Sequence, residues 1–334
     1  MFSLFLFSSL LSAFAEHPLF DRFSQWIHDL NIHVSDLHHR EQLFNKWIVN
    51  HEYIQLINSQ NLSYSLGHNQ FSAMDSFEFS QFLHSFDNPK YFDFDAPLFF
   101  QHFDEKSIPD SIDWVKLGAV TPVKDQGQCG SCWSFSATGA LEGVFFNKFG
   151  KLVSFSEQQL VDCDNLKNGG RDHGCNGGLM DYAFSWISKN GGLCSESDYP
   201  YVSGQTQTSG SCLKTCHLVD GSNIHSFIDV APSDDSAFVS ALSLNPVSVA
   251  IQANQPDFQL YKSGVFTGKC GTNLDHGVLA VGYGSLDSLP YYKVKNSWSS
   301  SWGDNGYILL ARGDQFNDGD GQCGILLQSS FPTF

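Results

Sequence analysis

A chain of 334 residues exceeds the roughly 150-residue scale of a single domain, so two or more folding units are expected. Its 42% hydrophobic and 14% aromatic content supports a sizeable core and excludes a disordered chain, despite a formal net charge of −17. That acidity disfavours nucleic acid and anionic membranes, which need basic patches, and suits an acidic compartment where carboxylates begin to protonate.

Met1 to Ala15 carries no charged side chain, is dense in Leu and Phe, and ends Ala13-Phe14-Ala15 before Glu16. It reads as a signal peptide; it is too short to span a membrane, and no later run reaches about 18 apolar residues. Residues 16–106 hold no cysteine and carry 13 acidic against 5 basic side chains. Between Asp21 and Ser59 apolar residues recur at helical spacing: Phe23, Trp26, Ile27 and Leu30, then Leu43, Phe44, Trp47, Ile48, Ile54 and Ile57. This predicts two helices. An extended piece follows from Tyr64 to Phe71. A looser stretch from Phe86 to Lys106, with Asn88-Pro89 and Ala96-Pro97, reads as a linker that a protease could enter. Asn61-Leu62-Ser63 is a glycosylation sequon.

From Ile108 the composition changes. A helix is predicted from Ser131-Cys132-Trp133 to about Lys148, and a second after Ser156, with Gln159 completing a capping box. Beyond about Asn223 the chain is β-rich: Val247 to Ala253, Gly277 to Tyr283, Tyr291 to Asn296 and Gly306 to Arg312 are short β-branched or aromatic runs between Gly, Pro, Asp and Ser. Helices first and strands later predict an α+β fold, two subdomains meeting at a cleft.

The nine cysteines are Cys129, Cys132, Cys163, Cys175, Cys194, Cys212, Cys216, Cys270 and Cys323. An odd count in an exported chain predicts four bridges and one thiol left over. The competing reading is a zinc site on Cys129-Gly-Ser-Cys132. It needs a second close ligand pair, whereas Cys163 and Cys175 lie twelve apart with no flanking histidine pair. Cys132 stands where the turn Gln126-Gly127-Gln128-Cys129-Gly130-Ser131 runs into a helix. A helix N-terminus beside an imidazolium lowers a thiol pKa, and the free N–H groups of the first turn can hold an oxyanion.

Cys129-Gly130-Ser131-Cys132-Trp133 matches the signature of papain and the cathepsins. Cys175-Asn176-Gly177-Gly178, Asp275-His276-Gly277, Asn296-Ser297-Trp298 and Trp302-Gly303 match later motifs of the same group. The chain resembles a papain-family cysteine protease, most similar to the cathepsin L group, over essentially its whole length. His276 lies 144 residues beyond Cys132, inside the family spacing, and Asn296, at 164, lies somewhat beyond it.

The resemblance implies a papain-like fold of mainly helical left half and β-rich right half with the active-site cleft between, preceded by a helical propeptide domain. Its implied divisions are a signal peptide over 1–15, an inhibitory propeptide over 16–106 and a peptidase domain over 107–334. Cys132 is the implied nucleophile, His276 its base and proton donor, Asn296 the group that fixes the imidazole, and Gln126 a donor to the oxyanion hole. Trp298 shields the His276–Asn296 bond, and Gly178 offers backbone hydrogen bonds to an extended substrate. Leu179, Met180, Ala250, Leu274 and Gly277 line an apolar pocket for Leu or Phe two residues before the cut, with Gln328 at its floor.

The family pattern pairs Cys129 with Cys175, Cys163 with Cys212, and Cys270 with Cys323. Cys194 and Cys216 remain and are expected to pair with each other. No cofactor and no metal are implied. Expected partners are protein and peptide substrates and the chain's own propeptide, with no nucleic acid and no membrane span; a monomer is expected. The expected location is the secretory pathway, in a lysosome-like vacuole or outside the cell.

Departures from the family pattern are also visible. Asn50, Ile54, Asn58 and Trp47 fit the first propeptide motif, but His39 and Leu43 replace its Glu and Arg. Gly67-His68-Asn69-Gln70-Phe71 fits the second, but Ala73 replaces its acid. Without those ion pairs, carboxylates elsewhere, such as Asp75 and Glu78, are expected to sense acid. Ser299 stands where relatives commonly carry Gly. A non-enzymatic relative on the same scaffold would usually lose the nucleophile, whereas Cys132, His276 and Asn296 are all present. An inhibitor acting in trans would require the 16–106 segment to persist as a separate fragment.

Overall fold

The computed structural model describes residues 17–83 and 108–334, with backbone alone at 99–100. The expected signal peptide, most of the expected loose stretch from Phe86 to Lys106, and Ser107 lie outside the described residues.

The front segment forms the two helices that its periodicity predicts, α1 (Phe20–Asp29) and α2 (Leu37–Asn58). Asp36 caps α2 by accepting the His39 N–H at 2.8 Å. Phe23, Trp26, Phe44 and Trp47 bury the apolar stripe in a cluster of its own, together with Ala73 and partly buried Leu43. Leu43 and Ala73, two of the motif departures, are therefore apolar packing where the family pattern has charge.

Asn50 and Asn58, one face of α2, hold the chain that follows. Asn50 Nδ2 donates to the Ser72 and Met74 carbonyls, both at 2.9 Å, and Asn58 exchanges two bonds with the Leu66 backbone. Strand β1 covers only Tyr64–Leu66, because Asn69 and Ser72 turn the chain through side-chain bonds to its own backbone. A third helix, α3 (Ser76–Leu83), was not expected. Asp75 and Glu78 build its start, each carboxylate accepting the other's N–H, at 2.9 and 3.0 Å. Lys46 pairs with both.

The body carries β2 (Phe99–Phe100), β3 (Ile112–Asp113), α4 (Cys132–Phe149), α5 (Glu157–Cys163), α6 (Met180–Asn190), β4 (Ser226–Val230), α7 (Asp235–Leu244), β5 (Val247–Ile251), β6 (Tyr261–Phe266), β7 (His276–Leu286), β8 (Leu289–Lys295), β9 (Tyr307–Ala311) and β10 (Ser329–Thr333). The described strands form one sheet in the order β1-β6-β9-β8-β7-β5-β10-β4-β2, with β3 on β7. Strand β1 of the front segment is thus an edge strand, antiparallel to β6. Helices α4 to α6 and their loops make the helical half, and the sheet makes the other. Only half of the expected capping box at Ser156 forms. Ser156 Oγ accepts the Gln159 N–H, but Gln159 Oε1 turns away to accept the Cys194 N–H at 2.7 Å.

Helix α4 packs against β7, β5 and β10 on one side and α5 and α6 on the other, and is buried from Cys132 to Gly143. Small residues permit that approach. A Cβ on Gly139 would lie 2.7 Å from Leu279 Cδ2, and one on Gly143 would lie 2.5 Å from the Pro246 ring. Gly→Ala inside a helix ordinarily stabilises by about 1 kcal/mol. At Gly143 the rigid Pro246 ring reverses the sign, because overpacking costs about 1–3 kcal/mol. Gly143→Ala is expected to lower the thermal midpoint; an unchanged or raised midpoint would show that the seam is looser than this contact requires.

Candidate active site

The turn before α4 is held from several sides. Gly127 adopts φ +55°, and a Cβ there would meet the Gly204 carbonyl oxygen at 2.6 Å, so glycine is required on both counts. The Cys129–Cys175 disulfide and the Gly130 N–H bond to the Cys175 carbonyl, at 3.0 Å, clamp the turn to the 170–179 loop. Cys132 is the first residue of α4 and is 1% exposed. Its Sγ accepts the Gly277 N–H at 3.4 Å, which fixes the sulfur beside the start of β7, where His276 sits.

His276 opens β7 and Asn296 directly follows the neighbouring β8, and the two side chains are joined between Nε2 and Oδ1 at 2.8 Å. Trp298 stacks on the imidazole, ring centroids 4.5 Å apart. The Nδ1 edge of His276 is buried and meets no hydrogen-bond partner among the described residues. Gln126 is buried too. Its Oε1 accepts from Ser297 Oγ at 2.6 Å, its backbone N–H donates to the Ser297 carbonyl at 2.8 Å, and its Nε2 donates to the Cys129 carbonyl at 3.0 Å, leaving one amide proton. Ser297 was not singled out from the sequence, although it sits inside the Asn296-Ser297-Trp298 string.

Sequence reasoning describes the working dyad as an ion pair. In the full chain, burial opposes that pair from both sides. Burial pushes the Cys132 thiol up to about 11, against lowering N–H contacts from Gly277 and Trp133. Burial pushes His276 down to about 4, against the opposing bond to Asn296. The front segment covers this corner: Phe71, Phe79 and Phe82 pack edge-on to Trp298 at 5.2, 5.7 and 5.9 Å.

Of the predicted pocket residues, Met180 touches Gly277, its sulfur 3.2 Å from where a Cβ would stand. Ala250 pairs with Gly277 across β5 and β7, and its N–H donates to the Gln328 carbonyl at 2.9 Å. These four are contiguous. Leu179 is buried at the entry to α6, and Leu274 is buried against Gly324. Gly178 is wedged against Trp133. Four disulfides join Cys129 to Cys175, Cys163 to Cys212, Cys194 to Cys216 and Cys270 to Cys323. Cys132 is the free cysteine among the described residues. Ser299 has φ +63°, which explains the preference for glycine there.

Residues 108–333 match the family described as papain family cysteine protease. The chain belongs to that family. The match covers both halves of the fold and every residue of the site just described. Probable cysteine protease RD21C of Arabidopsis thaliana is 51% identical over 227 residues, 68% of this chain but only 48% of that protein, so the matched region spans about half of its length. Vignain of Ricinus communis is 41% identical over 95% of the chain and 87% of its own length. Among solved structures, a recombinant stem bromelain precursor superposes with a TM-score of 0.83 at 35% identity, covering 95% of this chain and 99% of its own.

The buried thiol sets an expected outcome for the full chain. Alkylation of Cys132 by iodoacetamide, followed by mass spectrometry, should be slow at neutral pH and rise about tenfold per pH unit, levelling near the thiol's value of about 11. A plateau already reached below about pH 8 would show an ion-paired thiolate instead.

Proposed function

We propose that this chain is a papain-type cysteine endopeptidase made as an inactive precursor, with residues 1–15 as signal peptide, 16–106 as inhibitory propeptide and 107–334 as peptidase domain. The observation that carries the reading is chemical. Eight of nine cysteines are consumed in disulfides, and the ninth heads a buried helix beside a hydrogen-bonded His–Asn pair. With Asn296 Oδ1 on Nε2, the other ring nitrogen, Nδ1, is the one left to exchange a proton with Cys132. The thiolate attacks the scissile carbonyl. The oxyanion is received by the Cys132 N–H and the remaining Gln126 amide proton. His276 protonates the leaving amine, then deprotonates the water that hydrolyses the thioester.

The contiguous Met180, Gly277, Ala250 and Gln328 support a pocket for Leu or Phe, joined by Leu179 and Leu274. The neutral amide of Gln328 accepts polar tips without drawing Arg as a carboxylate would. Four disulfides support passage through the secretory pathway, to a lysosome-like vacuole or the extracellular space. The enzyme acts as a monomer on proteins and peptides.

Acid activation has support in the front segment beyond the carboxylates named from the sequence. Asp75 is held below the usual carboxylate range by the Glu78 N–H, so it is a poor sensor of mild acid. His68 instead stacks on Trp47 at 4.2 Å and meets His51 between ring nitrogens at 2.9 Å. Burial, with His51 and Arg22, pushes His68 down from 6.5 to about 3. A histidine depressed in the folded front segment stabilises that fold above its free value and loses that stability as pH falls through the window from 6.5 to about 3, which loosens the segment that must dock. At about pH 5 the loss from His68 amounts to about 2 kcal/mol, enough to favour release.

Two measurements check this reading. Acid-treated precursor, assayed at about pH 5 on a peptide amide with Phe or Leu two residues before the cut, should gain activity as the front segment is lost. That activity should be abolished by a thiol-directed epoxide and absent in Cys132→Ala. Correct processing with no turnover on any peptide would promote a binding-protein reading. Separately, His68→Phe keeps the stack on Trp47 but removes the proton site, and should move the activation midpoint about one pH unit more acidic. An unmoved midpoint would place the sensor elsewhere.

A further inference from the structure

Beneath the substrate-binding segment lies a charge arrangement that the mechanism above does not use. Asp172 is 1% exposed and Asp164 is fully buried. Oδ1 of Asp172 accepts the Leu179 N–H at 2.8 Å, and a Cβ on Gly178 would lie 2.5 Å from that same oxygen. Asp172 thus fills the space directly under Gly178 and fixes the backbone of the residue after it. Asp164 holds the other end of the loop, its Oδ1 accepting the Arg171 N–H at 3.1 Å. The Oδ2 atoms of Asp164 and Asp172 are both buried, and neither finds an N–H or O–H donor among the described residues. Asp164 Oδ1 takes the N–H of Arg171, the residue before Asp172, so the two buried carboxyl groups are neighbours in the interior, and the charge of Asp164 opposes ionisation of Asp172. Two carboxylates cannot satisfy each other, because both are acceptors only; a proton held by one of the pair is what would give these atoms a donor.

The loop between them is tied to the site. Trp133, next to the nucleophile, donates its indole N–H to the Gly174 carbonyl at 3.1 Å, His173 donates its backbone N–H to the Gly177 carbonyl at 2.9 Å, and Cys175 is bridged to Cys129. Among the described residues, charged and titratable groups reach the pair from helix α6 and from the loop itself. Helix α6 contributes Asp181, which opposes charge on Asp172, and Lys189, which favours it on Asp164. The loop contributes Arg171, whose guanidinium lies over the Tyr182 ring, and His173. Helix α4 presents the neutral Trp133.

Resting on the protease reading above, we infer that Asp164 and Asp172 are positioning residues: they share one proton, and that proton holds the Gly177–Leu179 segment in the shape an extended substrate requires. Removing it leaves two neighbouring buried negative charges beneath the segment, which relieve their repulsion by separating and releasing the Leu179 N–H. Burial, and then Asp164, raises Asp172 well above the usual carboxylate range, and burial raises Asp164 as well. The sign follows. Carboxyl groups raised in the folded state bind more protons folded than unfolded, so the pair stabilises the loop in acid and loses that contribution as pH rises through the raised values. Substrate affinity, rather than reactivity of the thiol, should carry the change.

Asp172→Asn tests this. The amide keeps an oxygen for the Leu179 N–H and supplies a permanent donor to Asp164, so no shared proton is needed. In the processed enzyme, KM for an extended peptide should rise about tenfold between about pH 5 and about pH 8, while alkylation of Cys132 follows a separate profile. In Asp172→Asn that rise should be flattened. Asp164→Asn removes the same repulsion from the other side and reads the same quantity if the first variant folds poorly. The thermal midpoint of the full chain carrying Cys132→Ala, followed over the same pH range, needs no catalysis. It should fall with rising pH relative to the same chain with Asp172→Asn. Identical alkaline behaviour with and without the substitution, in KM or in the thermal midpoint, would overturn the shared-proton assignment. Absence of turnover in the processed enzyme at every pH would instead overturn the protease reading, and the thermal comparison would still decide the pair.

Discussion

The seam between helix α4 and strand β7 sets everything else, because it brings a sulfur from one half of the molecule to an imidazole from the other. Its spacing is fixed by small and hydroxylated residues. Gly139 and Gly143 admit Leu279 and Pro246, Ser136 Oγ donates to the Val278 carbonyl at 2.6 Å, and Ser248 Oγ donates to the Ser136 carbonyl at 2.9 Å. Behind the seam, Lys124 reaches Glu142 and Glu157, and Lys295 reaches Thr121, which itself bonds Glu142. Buried ions of this kind contribute less to net stability than to keeping one arrangement, because breaking any member strands a charge in the interior. Side chains on α4, α5 and β8 are thereby held in one geometry around the site.

Trp298 belongs to two assemblies at once. One ring face stacks on His276, and its edges receive Phe71, Phe79 and Phe82 from the front segment. Covering the indole therefore dries the imidazole and the thiol together. The same low dielectric that would strengthen an ion pair forbids forming one when no substrate or water can share the charge. Burial thus works against charge on both the sulfur and the imidazole.

Legibility in the sequence followed the kind of interaction. The helices α1 and α2 could be read because their aromatic stripe has a clear 3.6-residue period, and α4 because a glycine-rich turn precedes it. The site strings place Cys132, His276 and Asn296 where the fold brings them together, since each is embedded in local backbone geometry that its neighbours encode. Helix α3 escaped because its signal is a capping pair, Asp75 and Glu78, on an eight-residue stretch that shows little periodicity. Strands β4, β6 and β10 escaped because Pro332, Gly264 and several serines dilute their β-branched content. The Asp164–Asp172 proximity and the Ser297–Gln126 bond are long-range pairings. No period or motif announces that two acids eight residues apart will fold back onto each other.

Strand β1 is held by backbone bonding to β6, with Tyr64 opposite Gly264 and Leu66 opposite Tyr261. Its departure would leave the outer rim of β6 with bare donors and acceptors, the condition under which one chain templates another. Two features guard that rim already. Lys262 projects a charge from its exposed middle, and Gly264, at φ +88°, kinks the strand out of the flat form that stacking copies require. A freed rim of this shape would still accept an extended guest that brings a tyrosine to Asp257, as Tyr64 does now beside Tyr53 of α2. Under the proposed release, the front segment would itself be such a guest and would compete for the surface it had left.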